Sequence, residues 1–394
     1  MDNKNILISG AGIAGTTLAF WLKKFGFNPT IIESSPELRK GGYAIDFMGA
    51  GYDVAQKMEI IPALKAVDIN FSKLAFVDAN NNEKGSMNYQ KIKDFLHGRA
   101  FTLLRSDLAK VIYQNIDEDV EIIFRDTITQ INQNEKEVIV TLQSGKTKTF
   151  DLLVGADGLH SNVRHLTFGN ETQFEKYYGY YTSSFTLDNF SLGNNTFSMY
   201  NVPYKQVAVY SKNENQSTTF FIFTSPEKLS YPHHDIAKQK QILKTEFQHS
   251  GWKCLELLSE IDSATDFYFD SVSQIKMDSW YKGRITLVGD AGYCPSLLSG
   301  KGSTLAMVGA YILAGELKQA NGDYRTAFER YEITFKPFME KKQKAAQSFA
   351  KSFIPKTNLG IWIRNQIFKL MSVSAFSKLF LNQFKDSGLT LKEY

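Results

Sequence analysis

Cysteine is nearly absent: the 394 residues hold two, Cys254 and Cys294. That count builds no disulfide framework and offers none of the paired spacings of a zinc site, so a reducing, cytoplasmic setting is the expectation. There is no run of about 18 uncharged apolar residues, and no membrane-spanning helix is expected. The start, Met1-Asp2-Asn3-Lys4-Asn5, leads into a short apolar run that meets glycines at once. It lacks the apolar length and the cleavage site of a secretory signal. The six histidines (His97, His160, His165, His233, His234 and His249) are scattered, so neither a metal site nor a nucleophile–base triad is expected. Acid is missing from residues 341–385, where nine of the 45 basic residues fall, leaving 36 basic against 41 acidic residues elsewhere. The body is therefore slightly acidic and the C-terminal region basic.

What is present describes a folded, two-domain chain. Hydrophobic residues make up 43% and charged residues 22% of the sequence, near globular averages, and chains split into domains beyond about 250–300 residues. Ile6-Leu7-Ile8-Ser9 reads as a buried parallel strand. Residues 16–25 carry apolar side chains at helical spacing, closed by Gly26, and Thr30-Ile31-Ile32-Glu33 is a second strand. The first 33 residues thus form one β-α-β unit. Residues 39–46 look like a loop, 53–66 a helix, and Ser106 or Asp107 an N-cap. Period-2 alternation over 120–150 predicts a small antiparallel meander, and 151–158 a buried strand ending in a turn. Aromatic and β-branched residues crowd 177–225 between turn signals, which predicts an antiparallel sheet and a second domain. Residues 235–260 read as helical, 283–290 as another buried strand, and 306–319 and 324–353 as helices, with a helix pair over 361–385.

The first chemical motif is Gly10-Ala11-Gly12-Ile13-Ala14-Gly15 between strand and helix, with Glu33 ending the next strand. A dinucleotide pyrophosphate needs backbone N–H donors at a helix N-terminus and glycines that allow close approach, and the acid accepts from ribose hydroxyls. Gly155-Ala156-Asp157-Gly158 with Ser161 and Arg164, then Gly289-Asp290-Ala291-Gly292, then Pro295 and Gly300-Lys301-Gly302, follow in that order after buried strands. With Arg39-Lys40-Gly41-Gly42 and the run from Gly309 to Leu317, these segments resemble the FAD-dependent aromatic hydroxylases, the class A flavoprotein monooxygenases. Within that class the chain is most similar to the tetracycline destructases. The 300–302 loop departs from the family's Gly-Gln-Gly, and Leu297 stands where some relatives have Pro.

The resemblance implies an α/β fold: a Rossmann-like FAD-binding domain (1–72, 96–175 and 270–335), a β-sheet substrate domain (73–95 and 176–269), and C-terminal helices (336–394) bridging the two. Gly10, Gly12, Ala14 and Gly15 would cradle the FAD pyrophosphate. Glu33 would hold the adenosine ribose, and Arg39 and Arg105 would touch ribose, phosphate or ribityl groups. Asp157 would sit near the phosphates and Asp290 near the ribityl chain. Pro295, Gly300, Lys301 and Gly302 would border the flavin ring, where backbone N–H groups at a helix start can stabilise an anionic reduced flavin. No side chain is expected to act as a nucleophile, because the cofactor carries the chemistry. The implied reaction consumes NADPH or NADH and O2 and inserts one oxygen atom into an electron-rich phenol or enol, a tetracycline-type polyketide being the leading substrate. Only one dinucleotide fingerprint exists, so the nicotinamide nucleotide would bind transiently. A monomer without nucleic-acid partners is expected. A flavin hydroxylase of another aromatic or polyketide metabolite, or a flavoprotein that binds drug without oxygenating it, stays open.

Overall fold

The computed structural model describes residues 2–39, 41–193, 195–232, 234–350, 354–371 and 389–394. Lys40, His233 and most of the second helix expected over 361–385 lie outside the described residues.

The strand Asn5–Ser9 lies at the centre of a six-stranded sheet. Asn28–Glu33 and then Glu121–Phe124 lie on one side of it. Leu152–Gly155, Ile285–Leu287 and the antiparallel edge Tyr281–Lys282 lie on the other. Ile6, Leu7 and Ile8 are at most 1% exposed, as a parallel strand covered on both faces must be. The helices Ile13–Lys24 and Gly302–Gln319 pack against each other beside this sheet. The strand Glu121–Phe124 joins this parallel sheet rather than the expected meander. The meander comprises only Ile128–Gln133, Val138–Leu142 and Thr147–Phe150. The expected side-chain cap at Ser106 or Asp107 is absent too, since both lie inside the helix Arg105–Tyr113, which has Leu104 at its N-cap.

The second half is an eight-stranded sheet built on Glu175–Ser184, Lys205–Asn213 and Gln216–Thr224, with Tyr268–Ile275 at one edge and Glu83–Asn88 at the other. The expected boundary at 269/270 falls inside Tyr268–Ile275, which pairs with Glu175–Ser184 and so stays with this sheet through Ile275. Alternation sorts its side chains. Phe221 and Phe223 point to Phe247 on the helix Ile236–Phe247, with ring centroids 5.0 and 6.1 Å apart. Phe220, Gln206 and Tyr210 face the first half of the molecule instead. The helix expected over 235–260 is broken in two, because Gly251 (φ +79°) and Trp252 (φ +50°) turn the chain between Ile236–Phe247 and Cys254–Ser259. A two-stranded ribbon, Ala44–Met48 with Ala100–Leu104, forms where a loop was expected.

The C-terminal region touches both halves. Helix Tyr324–Ala350 packs on Gly302–Gln319. Helix Asn358–Met371 lies on the eight-stranded sheet, with the Phe368 ring 4.7 Å from that of Phe76. Residues 389–394 return to the first half, where Lys392 Nζ and Tyr394 Oη donate to Glu316 Oε1 at 2.8 and 2.9 Å. Glu316 is fully buried, while the Lys392 side chain is half-exposed. An uncompensated buried charge is far more costly than a solvated one. Lys392→Met should therefore lower stability by about 2–3 kcal/mol, and Glu316→Gln by less. Thermal unfolding of the two variants checks that order; equal losses would contradict it.

Candidate functional site

The three glycines of the first turn have different physical duties. Gly10 adopts φ +106°, and a Cβ there would stand 2.6 Å from the Ala156 carbonyl oxygen. At Gly15 a Cβ would stand 1.9 Å from the Gly10 carbonyl oxygen, so the turn closes only around glycine. A Cβ on Gly12 would meet nothing within 4 Å. Gly12 is the N-cap of helix Ile13–Lys24, which has no side-chain cap and no acid in its first turn. The helix end thus offers its positive pole to open space. Glu33 braces this turn, accepting from Ala11 N and Ser35 N at 2.9 Å each.

Two further turns complete the floor. Asp157 accepts from the Ser161 hydroxyl and, at 3.0 Å, from Val163 N. Burial raises its pKa against those two hydrogen bonds. The fully buried Arg164 donates to the carbonyls of Ala291 (2.9 Å) and Leu159 (2.6 Å) and to Glu171 (2.7 Å), tying this turn to the next. Asp290 follows Gly289 (φ +68°), and burial raises its pKa against the pull of Arg105. Tyr43 faces the same guanidinium, and burial pushes its phenol up to about 12. Helix Gly302–Gln319 has neither a side-chain cap nor an acid in its first turn. It points its N-terminus at the same space.

That space is a cavity of about 280 Å³ between the two sheets. It brings together Gly12, Ala14, Arg105, Asp290, Pro295, Gly300 and Gly302. Gly10, Gly15, Glu33 and Asp157 hold the surrounding turns and do not line it. Arg39 lines a separate cleft of about 800 Å³ between residues 36–41 and the loop 260–266. Lys301 sits at the N-cap of helix Gly302–Gln319, and it is not among the residues lining the cavity. The opposite wall was not foreseen: Tyr43, Asp46, Gln206, Tyr210 and Phe220. The Tyr43 ring lies 5.9 Å from Phe220 and 5.7 Å from Tyr268. The Tyr210 hydroxyl is buried without a hydrogen-bond partner. Among the described residues no group of three or more His, Cys, Asp or Glu stands at metal-binding distances, and no helix is long and apolar enough to cross a membrane.

Two uncapped helix ends meeting at a glycine-lined cavity define a dinucleotide-binding flavoprotein, and the chain belongs to the FAD binding domain family, whose profile matches residues 3–341. It is 36% identical to a flavin-dependent monooxygenase of Legionella longbeachae serogroup 1 (strain NSW150), over 100% of this chain and 98% of the relative. A flavin-dependent monooxygenase from an unknown prokaryotic organism is 39% identical over 359 residues, 89% of this chain and 90% of the relative. Among solved structures, tetracycline destructase Tet(55) superposes with a TM-score of 0.85 at 35% identity, covering 100% of this chain and 99% of that one. Tet(51) matches with the same score at 34% identity, over 99% of each chain. The chain is an FAD-dependent monooxygenase of class A. Its residues fit the cofactor: Gly12, Gly158 and Gly300 line the cavity, and a Cβ on any of them would enter open space.

His160 couples the two halves beside this site. Nδ1 lies 2.9 Å from Glu171 and Nε2 3.1 Å from Asp270, so both ring nitrogens face carboxylates. Burial disfavours the imidazolium, but the hydrogen bonds to Asp270 and Glu171 outweigh it and lift the pKa to about 10. A histidine raised this far stabilises the fold fully below its unfolded pKa of about 6.5 and loses that contribution as pH climbs through the folded value. The melting temperature of the wild-type protein should therefore fall relative to His160→Gln between pH 7 and 10. Parallel melting curves across that range would refute the paired imidazolium.

Proposed function

We propose that the chain uses NAD(P)H and O2 to insert one oxygen atom into an electron-rich phenol or enol, a tetracycline-type antibiotic being the leading substrate. The observation that carries this reading is the cavity itself. One wall is helix ends and glycines, and the other is the aromatic face of the eight-stranded sheet. The full-length likeness to two tetracycline destructases supports the substrate class. In this reading, FAD when bound supplies the ring on which O2 is activated, and this chain's residues position it. The backbone at Gly12 and Ala14 takes the pyrophosphate. Gly10, Gly15, Glu33 and Asp157 shape the turns that present it. Arg105 and Asp290 take the ribityl chain and phosphates. Pro295, Gly300, Lys301 and Gly302 provide backbone beside the ring. Arg39 serves the outer cleft, on the adenosine side. The division of labour follows: the six-stranded-sheet half holds the cofactor, the eight-stranded sheet, which keeps Tyr268–Ile275, faces the substrate, and the C-terminal region spans them.

Two measurements test this. Gly12→Val puts a side chain into the open space, so the protein should melt normally yet purify without the yellow flavin absorbance. Gly15→Ala should lose both colour and several degrees of thermal stability, because its Cβ collides with the Gly10 carbonyl oxygen. A yellow Gly12→Val protein of normal FAD content would overturn the pyrophosphate role. For the reaction, NADPH oxidation should accelerate with tetracycline and yield a product heavier by one oxygen atom. Faster oxidation without such a product would indicate a binder that does not oxygenate, and no response would point to another substrate.

A further inference from the structure

The cavity has two polar ends of unlike charge balance. At one end Arg105 stands with Asp290, Tyr43 and Tyr268, so an anion and a cation offset each other. At the other end stands Asp46. Its strand, Ala44–Met48, buries Ile45 and Phe47 and turns Asp46 to the cavity, near Phe197, Met199 and Gln206 of the eight-stranded sheet. Behind Asp46 the Oδ1 atom accepts from the Tyr89 hydroxyl and, at 3.2 Å, from the Thr102 hydroxyl. Both partners are neutral. The nearest cation, Lys93, is already engaged, with Nζ 2.8 Å from Asp68 Oδ2 and 3.1 Å from Asn70 Oδ1. Asp68 in turn accepts from Thr102 N at 3.0 Å. The Lys93–Asp68 pair is neutral as a unit. Asp46 itself is exposed, lines the cavity, and forms no ion pair among the described residues.

We infer that Asp46 is a substrate-orienting residue that selects substrates carrying an ammonium group beside the phenol or enol to be oxygenated. This deepens the proposed reaction and rests on it for the oxygen acceptor. Its hydroxyl partners are both neutral, and the surrounding protein raises its pKa against them, so the carboxylate has room for a cationic partner. A ligand cation would supply the missing charge, and a charge-assisted hydrogen bond is worth enough to select for it. Orientation follows, because the Tyr89 and Thr102 hydroxyls both bond Oδ1 and leave Oδ2 to a ligand. The substrate's amine end would then lie at the Ala44–Met48 strand, with its aromatic body along Phe197 and Phe220.

The test uses three small phenols that differ only in charge, so it does not depend on tetracycline. Tyramine is cationic, 4-ethylphenol neutral and 3-(4-hydroxyphenyl)propanoate anionic at neutral pH. Their dissociation constants are read from the perturbation of flavin absorbance in the oxidised FAD-loaded protein. The wild type should bind tyramine about tenfold or more tightly than 4-ethylphenol, and the anion least. In Asp46→Asn, with FAD content unchanged, the three should converge. Tightest binding of the anion, a tyramine preference that persists in Asp46→Asn, or loss of FAD from that variant would each overturn the inference. If the variant does not fold, the wild-type order of the three ligands decides alone. A protein that prefers tyramine but neither binds nor oxygenates tetracycline would keep this inference and defeat the tetracycline assignment.

Discussion

The structure depends on two helix N-termini, at Gly12 and at Gly302, left without side-chain caps and without acidic first turns, facing one cavity. A bare helix end leaves backbone donors unsatisfied and carries a partial positive charge. Most helices settle that cost with a serine or aspartate. These two do not, although the helices Asn162–Phe168 and Ile236–Phe247 have Ser161 and Asp235 in that role. The helices Ile61–Ala66 and Gln90–Phe95 lack both features too; what sets these two ends apart is that they open on one cavity, where an anionic ligand fits. The surrounding packing keeps the ends aimed. Gly15 allows strand and helix to touch at Gly10, and Gly289 allows the Asp290 turn to approach Ala14.

Buried charge is used as a fastener between segments distant in sequence. Arg164 ties the Asp157 turn to the Asp290 turn, and His160 ties the first half to the strand Tyr268–Ile275. Glu316 ties the flavin-side helix to residues 389–394. In each case the charge is lodged where removing one partner leaves the other uncompensated, so the contact favours a single arrangement over loose alternatives. These contacts join the two halves together with Ile275, which the eight-stranded sheet lends to the core of the first half. The chain crosses between them repeatedly, at the ribbon Ala44–Met48 and through the helices Tyr324–Ala350 and Asn358–Met371.

The parts of this arrangement that were legible in the sequence are those set by local rules. The β-α-β unit, the Asp157 and Asp290 turns and the helix beginning at Gly302 announce themselves through glycines beside short apolar strands. The strand Glu121–Phe124 did not, because four residues of alternating character fit either the meander or the edge of the parallel sheet, and only long-range pairing decides. Ala44–Met48 was hidden behind Gly41 and Gly42, which read as loop, and Asp46 was hidden with it. The aromatic wall was visible as composition but not as geometry. In Gln216–Thr224 a shift of one residue would exchange Phe220 for Phe221 and move the cavity face to the helix side. Register is fixed by partners far along the chain, so sequence alone could count the aromatic residues without saying which ones face the cavity.

Asp46 shows how these levels meet. Five residues of strand place it, alternation turns it inward, and Tyr89 and Thr102, from two other segments, hold its carboxylate. The Lys93–Asp68 pair next to it is neutral, so the charge it presents to the cavity is its own. At the other end Arg105 and Asp290 offset each other where a flavin's ribityl chain and phosphates are proposed to lie. A cofactor that brings its own negative charge is best met by helix ends and by Arg105, whose charge is felt by the neighbouring Asp290. A substrate that must be held in one of several orientations beside it is best met by a single unbalanced charge at the far wall. The asymmetry of the cavity therefore separates holding the cofactor from choosing the substrate, although both surfaces line one cavity.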